Sequence, residues 1–282
     1  MSETPNNALH RFAVVLASAT FVLIFVGGLV KSTGSELSVP DWPLAFGQLV
    51  PSLKGGVLFE YSHRVVAGAV SLLTLALMLW AALREPRRWV RVLATSAFLL
   101  VIAQAILGGI TVLFLIPLPI AMAHTATANA FFCIVVAIAI FTSPWFLEAT
   151  PRDESPSRIP LAKLSAITTG IIYLQILVGA LMRHLGAGLA IPDFPTSFGQ
   201  AVPPVWNEFI AINFLHRCGA VIVTCLPWER IVTCRGASAK TPTPAGSSLD
   251  SRSSCQPDPP RSSNRLKLSM PLPSSRTVTI PS

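Results

Sequence analysis

Charge is what this sequence has least of: 12% of its 282 residues are Asp, Glu, Lys or Arg, against 52% hydrophobic. A soluble domain of this length cannot leave so little polar surface for water, and the apolar residues fall in long runs rather than alternating. Cysteine is sparse too. Cys133, Cys218, Cys225, Cys234 and Cys255 form no CxxC pair, so neither a zinc site nor a disulfide framework is legible. Acidic residues are outnumbered, 13 to 21, giving a net charge of +8. Much of that excess lies in the connections between apolar runs and in the C-terminal tail, where it sets membrane orientation; nucleic acid is excluded as a partner. The first apolar run is too long for a cleavable signal peptide and has no clear cleavage site.

What is present is a set of stretches each long enough to cross a bilayer core of about 30 Å as helix. They run approximately 12–30, 65–83, 90–116, 120–142, 161–182 and 209–226. This predicts an all-α, polytopic membrane bundle of about six transmembrane helices. Pro117 and Pro119 mark a tight helical hairpin between the third and fourth spans. Arg84, Arg87, Arg88 and Arg91 follow span two, Arg152, Arg158 and Lys163 follow span four, and Arg11 precedes span one. The positive-inside rule puts these connections and the N-terminus in the cytoplasm, although Lys31, Lys54 and Arg183 fall in outer connections.

An internal repeat organises the chain. LVKSTGSELSVPDWPLAFGQLVP from Leu29 aligns without a gap to LMRHLGAGLAIPDFPTSFGQAVP from Leu181, 152 residues on. Each copy then gives His-Arg, as His63-Arg64 and His216-Arg217, the second displaced by one inserted residue. Two repeated four-helix units are expected, the second incomplete: residues 1–150 form the first, and 151–225 supply two helices of the other. Residues 226–282, rich in Ser, Pro, Thr and Arg, read as an aberrant, disordered tail. The apolar character breaks off inside a span, which favours a frameshift over a regulatory tail. Resequencing the coding region separates the two.

Ionisable residues at membrane depth mark function. His63 opens span two, His124 starts span four, His184 closes span five and His216 lies inside span six, so all four fall near the outer face. His10 stands apart at the inner end. A single histidine here would be a hydrogen-bonded helix-end residue; several on one face suggest haem iron or copper. Met122 lies near His124, but no Cys or Met cluster accompanies the set, which favours haem. Gly27, Gly28, Gly108, Gly109 and Gly179 let helices approach closely, as a macrocycle between helices requires and as ordinary packing also does. Arg64 and Arg217 could fork onto haem propionates or anchor the interface. Glu60, one turn before His63, could relay a proton or orient a substrate, whereas the matching residue in the second unit is Asn213. The Pro-Asp-aromatic-Pro segments, PDWP and PDFP, cannot be helical and make rigid outer loops that could cap a pocket.

GGLVKSTGSELSVPDWPLAFGQ, EYSHR, HTATAN, RHLGAGLAIPDFPTSFGQ and FLHR together resemble the haem A synthase family over roughly residues 9–225. The resemblance implies eight helices in two halves and oxidation of the C8 methyl of haem O to a formyl group, giving haem A, with molecular oxygen as co-substrate. It implies that His63 and His124 are axial ligands of substrate haem O, that Glu60 is catalytic, and that His216 is a ligand of haem b, whose partner histidine lies beyond the matched region. The metal is iron, held through haem. It further implies haem O synthase and an electron donor as partners; a homo-oligomer stays open, since the sequence does not identify the oligomeric state. The location is a bacterial plasma (inner) membrane, multi-pass, with the haem-binding face external.

Three departures stand out. The second ligand of the C-terminal half has no counterpart. Ser38 and Ala45, and Ile191 and Ser197, stand where some members carry loop cysteines, so no loop disulfide is expected. The last two helices have no counterpart, so the chain is expected to fold poorly or to be impaired. Two other readings stay open on the residues: a bis-histidine electron-transfer cytochrome, and a non-enzymatic membrane assembly factor.

Overall fold

The structure, a computed structural model, describes residues 7–148 and 161–238. Arg152, Arg158, Cys255 and the tail from residue 239 onward lie outside the described residues. The elements in chain order are α1 (Asn7–Ser32), α2 (Gly56–Arg84), α3 (Arg88–Leu113), α4 (Leu118–Phe141), the one-turn α5 (Pro144–Leu147), α6 (Leu161–His184), a 3-10 turn (Ala187–Leu189) and α7 (Glu208–Ser238). Six of these helices are long and apolar enough to cross a membrane. The chain is a multi-pass, all-helical membrane protein.

The first four long helices close on themselves, α1 against α2 and α4, and α3 against α2 and α4. Their shared core is Leu9, Ala13 and Leu16 of α1, Val70, Leu77 and Ala81 of α2, Ala94, Ala97 and Val101 of α3, and Phe131, Val135 and Ile138 of α4. The alternation of Leu, Val and Phe with Ala lets facing helices interdigitate. Lipid-facing positions such as Phe21, Phe25, Leu72 and Leu99 stay exposed and apolar. α6 joins this body through α4, where the Tyr173 hydroxyl donates to the Ala126 carbonyl at 2.8 Å. It also reaches α1, through a 2.7 Å bond from Arg183 Nη2 to Ser32 Oγ.

The spans foreseen from composition are all present, but their ends move. α2 begins at Gly56 rather than 65, because polar Glu60, Tyr61 and Arg64 are helical and find partners in the preceding loop. α3 stops at Leu113, three residues short of the sequence reading. Leu115 and Ile116 take left-handed φ values of 57° and 60°, and the Ile116 amide donates back to the Thr111 carbonyl at 2.7 Å. Pro119 then falls in the first turn of α4, where a missing N–H costs nothing. α7 continues to Ser238, so the tail reading is corrected at its start: the backbone stays helical beyond residue 226.

The repeat is structural down to its turns. Asp41 accepts from the Phe46 and Gly47 amides at 2.7 and 2.8 Å, and Asp193 accepts from Phe198 and Gly199 at 2.7 and 2.9 Å. Ala45 pairs with Gln48, and Ser197 with Gln200. Trp42-Pro43 and Phe194-Pro195 are both cis. Phe46 and Phe198 share positive φ (54° and 57°), each followed by a glycine at 67° or 76° that meets the left-handed requirement without a Cβ clash.

Candidate functional site

The outer loops are held by the residues that flank the histidines. On α2, Glu60 is only 4% exposed, its Oε2 accepting from the Val39 amide at 2.7 Å and its Oε1 from Arg64 Nη2 at 2.6 Å. Arg64 also donates to the carbonyls of Asp41 (2.7 Å), Leu44 (3.1 Å) and Val39 (2.9 Å). On α7, Arg217 repeats this with the carbonyls of Asp193 (2.7 Å), Thr196 (2.9 Å) and Ile191 (2.8 Å), while its Nε donates to Asn213 Oδ1 at 2.9 Å. Asn213 in turn donates to the Ala187 and Gly188 carbonyls. The arginines therefore clamp the loops. A propionate contact would require some of those bonds to be exchanged. The arginine fork suits clamping because each terminal nitrogen can donate twice.

The imidazoles lie beneath these loops at one end of the bundle. At 1.5 Å per residue, His63, His124 and His216 sit about 9–12 Å along α2, α4 and α7 from each helix start. His63 and His124 are close enough to influence each other electrostatically. Their Nδ1 atoms are buried without a hydrogen-bond partner, an unusual state for a polar atom in a helical interior. Each faces a backbone carbonyl, Leu23 for His63 and Gln104 for His124, without completing the bond. Gln104 Nε2 donates instead to the His124 carbonyl at 3.0 Å and also contacts Thr127 Oγ1.

Glycines supply the space. A Cβ on Gly27 would stand 3.0 Å from His63 Cε1, one on Gly108 3.5 Å from His124 Cε1, and one on Gly179 2.7 Å from His216 Cε1. Gly109 receives the Trp42 ring from the PDWP loop, with a would-be Cβ 2.8 Å from Trp42 Cδ2, so this loop rests directly on α3. Gly28 faces open space. His10 is unrelated to the set: its Nδ1 pairs with the Ala139 carbonyl at 2.9 Å, at the opposite end of α4 from His124. His184, the last residue of α6, lies by Arg183, Lys31 and Glu36 rather than beside the other imidazoles. Among the described residues no group of three or more His, Cys, Asp or Glu forms a bare-ion site. A pair of buried imidazoles with free ring nitrogens suits an iron porphyrin, which brings its own equatorial nitrogens and needs only axial ligands. The residues present thus fit haem.

Comparison with known proteins decides the family. The profile described as cytochrome oxidase assembly protein matches residues 10–56 and 52–243. A haem A synthase of Shouchella clausii is 30% identical over 226 residues, covering 78% of this chain and 74% of the relative. One from Staphylococcus haemolyticus is 33% identical over 219 residues, covering 72% and 68%. The chain belongs to the haem A synthase family. The family profile's match takes in the paired loops as well as the helices that carry His63, His124 and His216.

Sequence reasoning missed two participants of this haem A synthase-family site, Gln175 and Gly219. Gln175 Nε2 lies 3.1 Å from His216 Nδ1 and donates to the His216 carbonyl at 2.8 Å, while its Oε1 occupies the space over Gly219. A glutamine within span five was the available signal: an amide in a transmembrane helix must find a partner.

Proposed function

We propose that the chain is a haem A synthase that oxidises the C8 methyl of haem O to a formyl group, with haem b as resident cofactor and molecular oxygen as co-substrate. The observation that carries this reading is the pair of buried imidazoles, His63 and His124, with unpartnered Nδ1 atoms and glycine-made room beside them. They hold the substrate haem in the first unit, and His216 holds the cofactor haem in the second. When bound, haem supplies the redox chemistry.

The chain's own residues bind, orient and screen. The PDWP loop, tied to α2 by Glu60 and Arg64 and seated on Gly109, covers the His63–His124 pocket and excludes water. Glu60 holds or passes a proton at that boundary. In the second unit an amide, Asn213, does the tethering, so a carboxylate is not needed for the tether alone; this supports a chemical role for Glu60. Haem O synthase and an electron donor are the partners this reaction requires. The arginine-rich α2–α3 connection lies at the end opposite the histidines, which supports a cytoplasmic N-terminus and an external haem face in a bacterial inner membrane.

The test is haem extraction from membranes of cells that make haem O but no haem A. Expression of the chain is expected to yield haem A above a blank strain, and to give purified protein with a low-spin haem spectrum. The expectation of impaired turnover bears on yield, so detection is the criterion. Haem A should vanish in His63→Ala and His124→Ala. Bound haem with no haem A product would favour the electron-transfer cytochrome, and a colourless preparation the assembly factor.

A further inference from the structure

The HTATAN segment in the first half of α4 carries a hydroxyl three residues after His124, and the Gln104 carboxamide of α3 joins the two. Gln104 Nε2 donates to the His124 carbonyl at 3.0 Å and also contacts Thr127 Oγ1. A carbonyl only accepts, so the amide atom facing it is nitrogen and the sense of the amide is fixed. The Thr127 hydroxyl proton goes to the Ala123 carbonyl at 2.7 Å, which leaves Oγ1 to accept the second amide proton. Both amide protons are thus committed, and neither is left for the His124 ring. The ring Nδ1, buried and without a hydrogen-bond partner, faces the Gln104 backbone carbonyl instead.

α6 and α7 show the same arrangement without that hydroxyl. Gln175 and Gly179 have the one-turn spacing of Gln104 and Gly108, and the two glycines give room to the His216 and His124 rings. Gln175 Nε2 likewise donates to the His216 carbonyl, at 2.8 Å. Three residues after the histidine, however, α7 has Gly219 where α4 has Thr127. With no hydroxyl there to accept it, the second amide proton faces His216 Nδ1, 3.1 Å away. Such a contact makes Nδ1 the acceptor, puts the ring proton on Nε2 and leaves no lone pair for iron. It has to open before His216 can ligate, whereas His124 meets no such obstacle.

We propose that Thr127 is the positioning residue for His124: by taking the second proton of the Gln104 amide it keeps that amide off the ring, so that Nδ1–H turns to the Gln104 carbonyl and the Nε2 lone pair is presented to haem iron. This rests on the assignment of haem to the His63–His124 pair. Metal-ligating histidines commonly donate their other ring proton to a backbone carbonyl, which fixes tautomer and orientation, and losing such control typically costs about 10–100-fold in affinity. A helix threonine ordinarily bonds only a carbonyl of its own preceding turn. Thr127 does that and also receives a proton from a neighbouring helix.

The test uses the full chain in detergent. Thr127→Ala removes the hydroxyl, Thr127→Ser keeps it, and Thr127→Ala combined with Gln104→Leu removes the amide as well. In the haem-free protein, the ring 15N signals that disappear in His124→Ala should report a protonated Nδ1 in the parent and in Thr127→Ser. In Thr127→Ala the proton should move to Nε2. The double variant, with no amide left to turn, should regain the parent tautomer. Affinity for the haem whose binding His124→Ala abolishes should fall at least about tenfold in Thr127→Ala, stay at the parent value in Thr127→Ser and recover most of the loss in the double variant. A threonine that only packs would give losses that add instead of cancelling. Parent-like nitrogen shifts in Thr127→Ala would overturn the proton assignment, and a haem loss as large in the double variant as in Thr127→Ala would overturn the positioning role. If the parent binds no haem, the assignment of haem to the first unit fails and the iron-presenting role with it, while the nitrogen shifts still decide where the ring proton sits.

Discussion

The two outer loops and the helices that follow them share turns and clamps built twice, although many side chains around them differ. Asp41 and Asp193 organise the same turn, Arg64 and Arg217 clamp equivalent carbonyls, and Gly27 and Gly179 admit equivalent imidazoles. Against that background, Glu60 is replaced by Asn213, and Leu23 and Val66 by Gln175 and Gly219. The first unit keeps a buried charge near an unanchored imidazole; the second has a neutral tether and an anchored one. The duplicated scaffold thus differs in what surrounds the two imidazoles rather than in the imidazoles themselves.

The sharpest way to break that comparison is to make the units alike at the tether. Glu60→Gln keeps one acceptor oxygen in place of two, so one of the bonds from the Val39 amide and Arg64 should survive while the new NH2 group faces the other donor. Removing a group that handles protons in a reaction typically costs about 10²–10⁴-fold in rate. Haem A yield should therefore collapse while bound haem is retained and the unfolding temperature falls only by what one lost loop bond costs. If haem A yield is unaffected, Glu60 is only a tether. The control is Glu60→Ala, which leaves Arg64 and the Val39 amide without their partner and should also lower stability, by about 1–3 kcal/mol for a buried donor left unsatisfied.

The glycines give a graded comparison. A methyl on Gly179 would meet His216 at 2.7 Å, on Gly27 would meet His63 at 3.0 Å, and on Gly108 would meet His124 at 3.5 Å. Overpacking of this kind typically costs about 1–3 kcal/mol. Haem affinity and unfolding temperature should fall most for Gly179→Ala, less for Gly27→Ala and least for Gly108→Ala. Gly28→Ala, with nothing within 4 Å, should leave haem untouched and slightly stabilise its helix. Equal losses in all four would show that the imidazoles do not depend on these sockets.

The spans were legible because bilayer crossing imposes a length and a hydropathy on each one. The paired loops were legible because the motif is written twice. Ends were less legible: the polar run before residue 65 reads as loop, and its inclusion in α2 depends on Glu60, Tyr61 and Arg64 finding loop partners that a linear reading cannot place. For the same reason the loop-anchoring partners of Arg64 are not legible in the sequence. Its acceptors are carbonyls on a loop that folds back over it, about twenty residues away in sequence. Gln175 and Gly219 were hidden because each is meaningful only opposite the other, in a helix–helix register that sequence alone does not fix. Gly27, Gly108 and Gly179 were singled out for close approach, yet which of the glycines touch histidine and which receives Trp42 depended on the packing.

The smallest expected effect sharpens the loop comparison. The Gly47 and Phe46 amides hold the Asp41 carboxyl below the ordinary carboxylate range, and the Gly199 amide, the Thr196 hydroxyl and the Phe198 amide hold that of Asp193 lower still. A carboxyl whose folded pKa is depressed contributes stability above its unfolded pKa and loses it as pH falls through the folded one. Neither loop should therefore change between neutrality and about pH 5, since an unperturbed Asp titrates near 3.9. On further acidification the Asp41 turn should open first, because it lacks a hydroxyl like that of Thr196. Hydrogen exchange at the Phe46, Gly47, Phe198 and Gly199 amides, followed against pH, measures this directly. Thr196→Val should bring the second loop's acid sensitivity toward that of the first, and simultaneous opening in the parent protein would show that the hydroxyl adds nothing. Both carboxyls are solvent-accessible, so water competes for them and the separation should be modest.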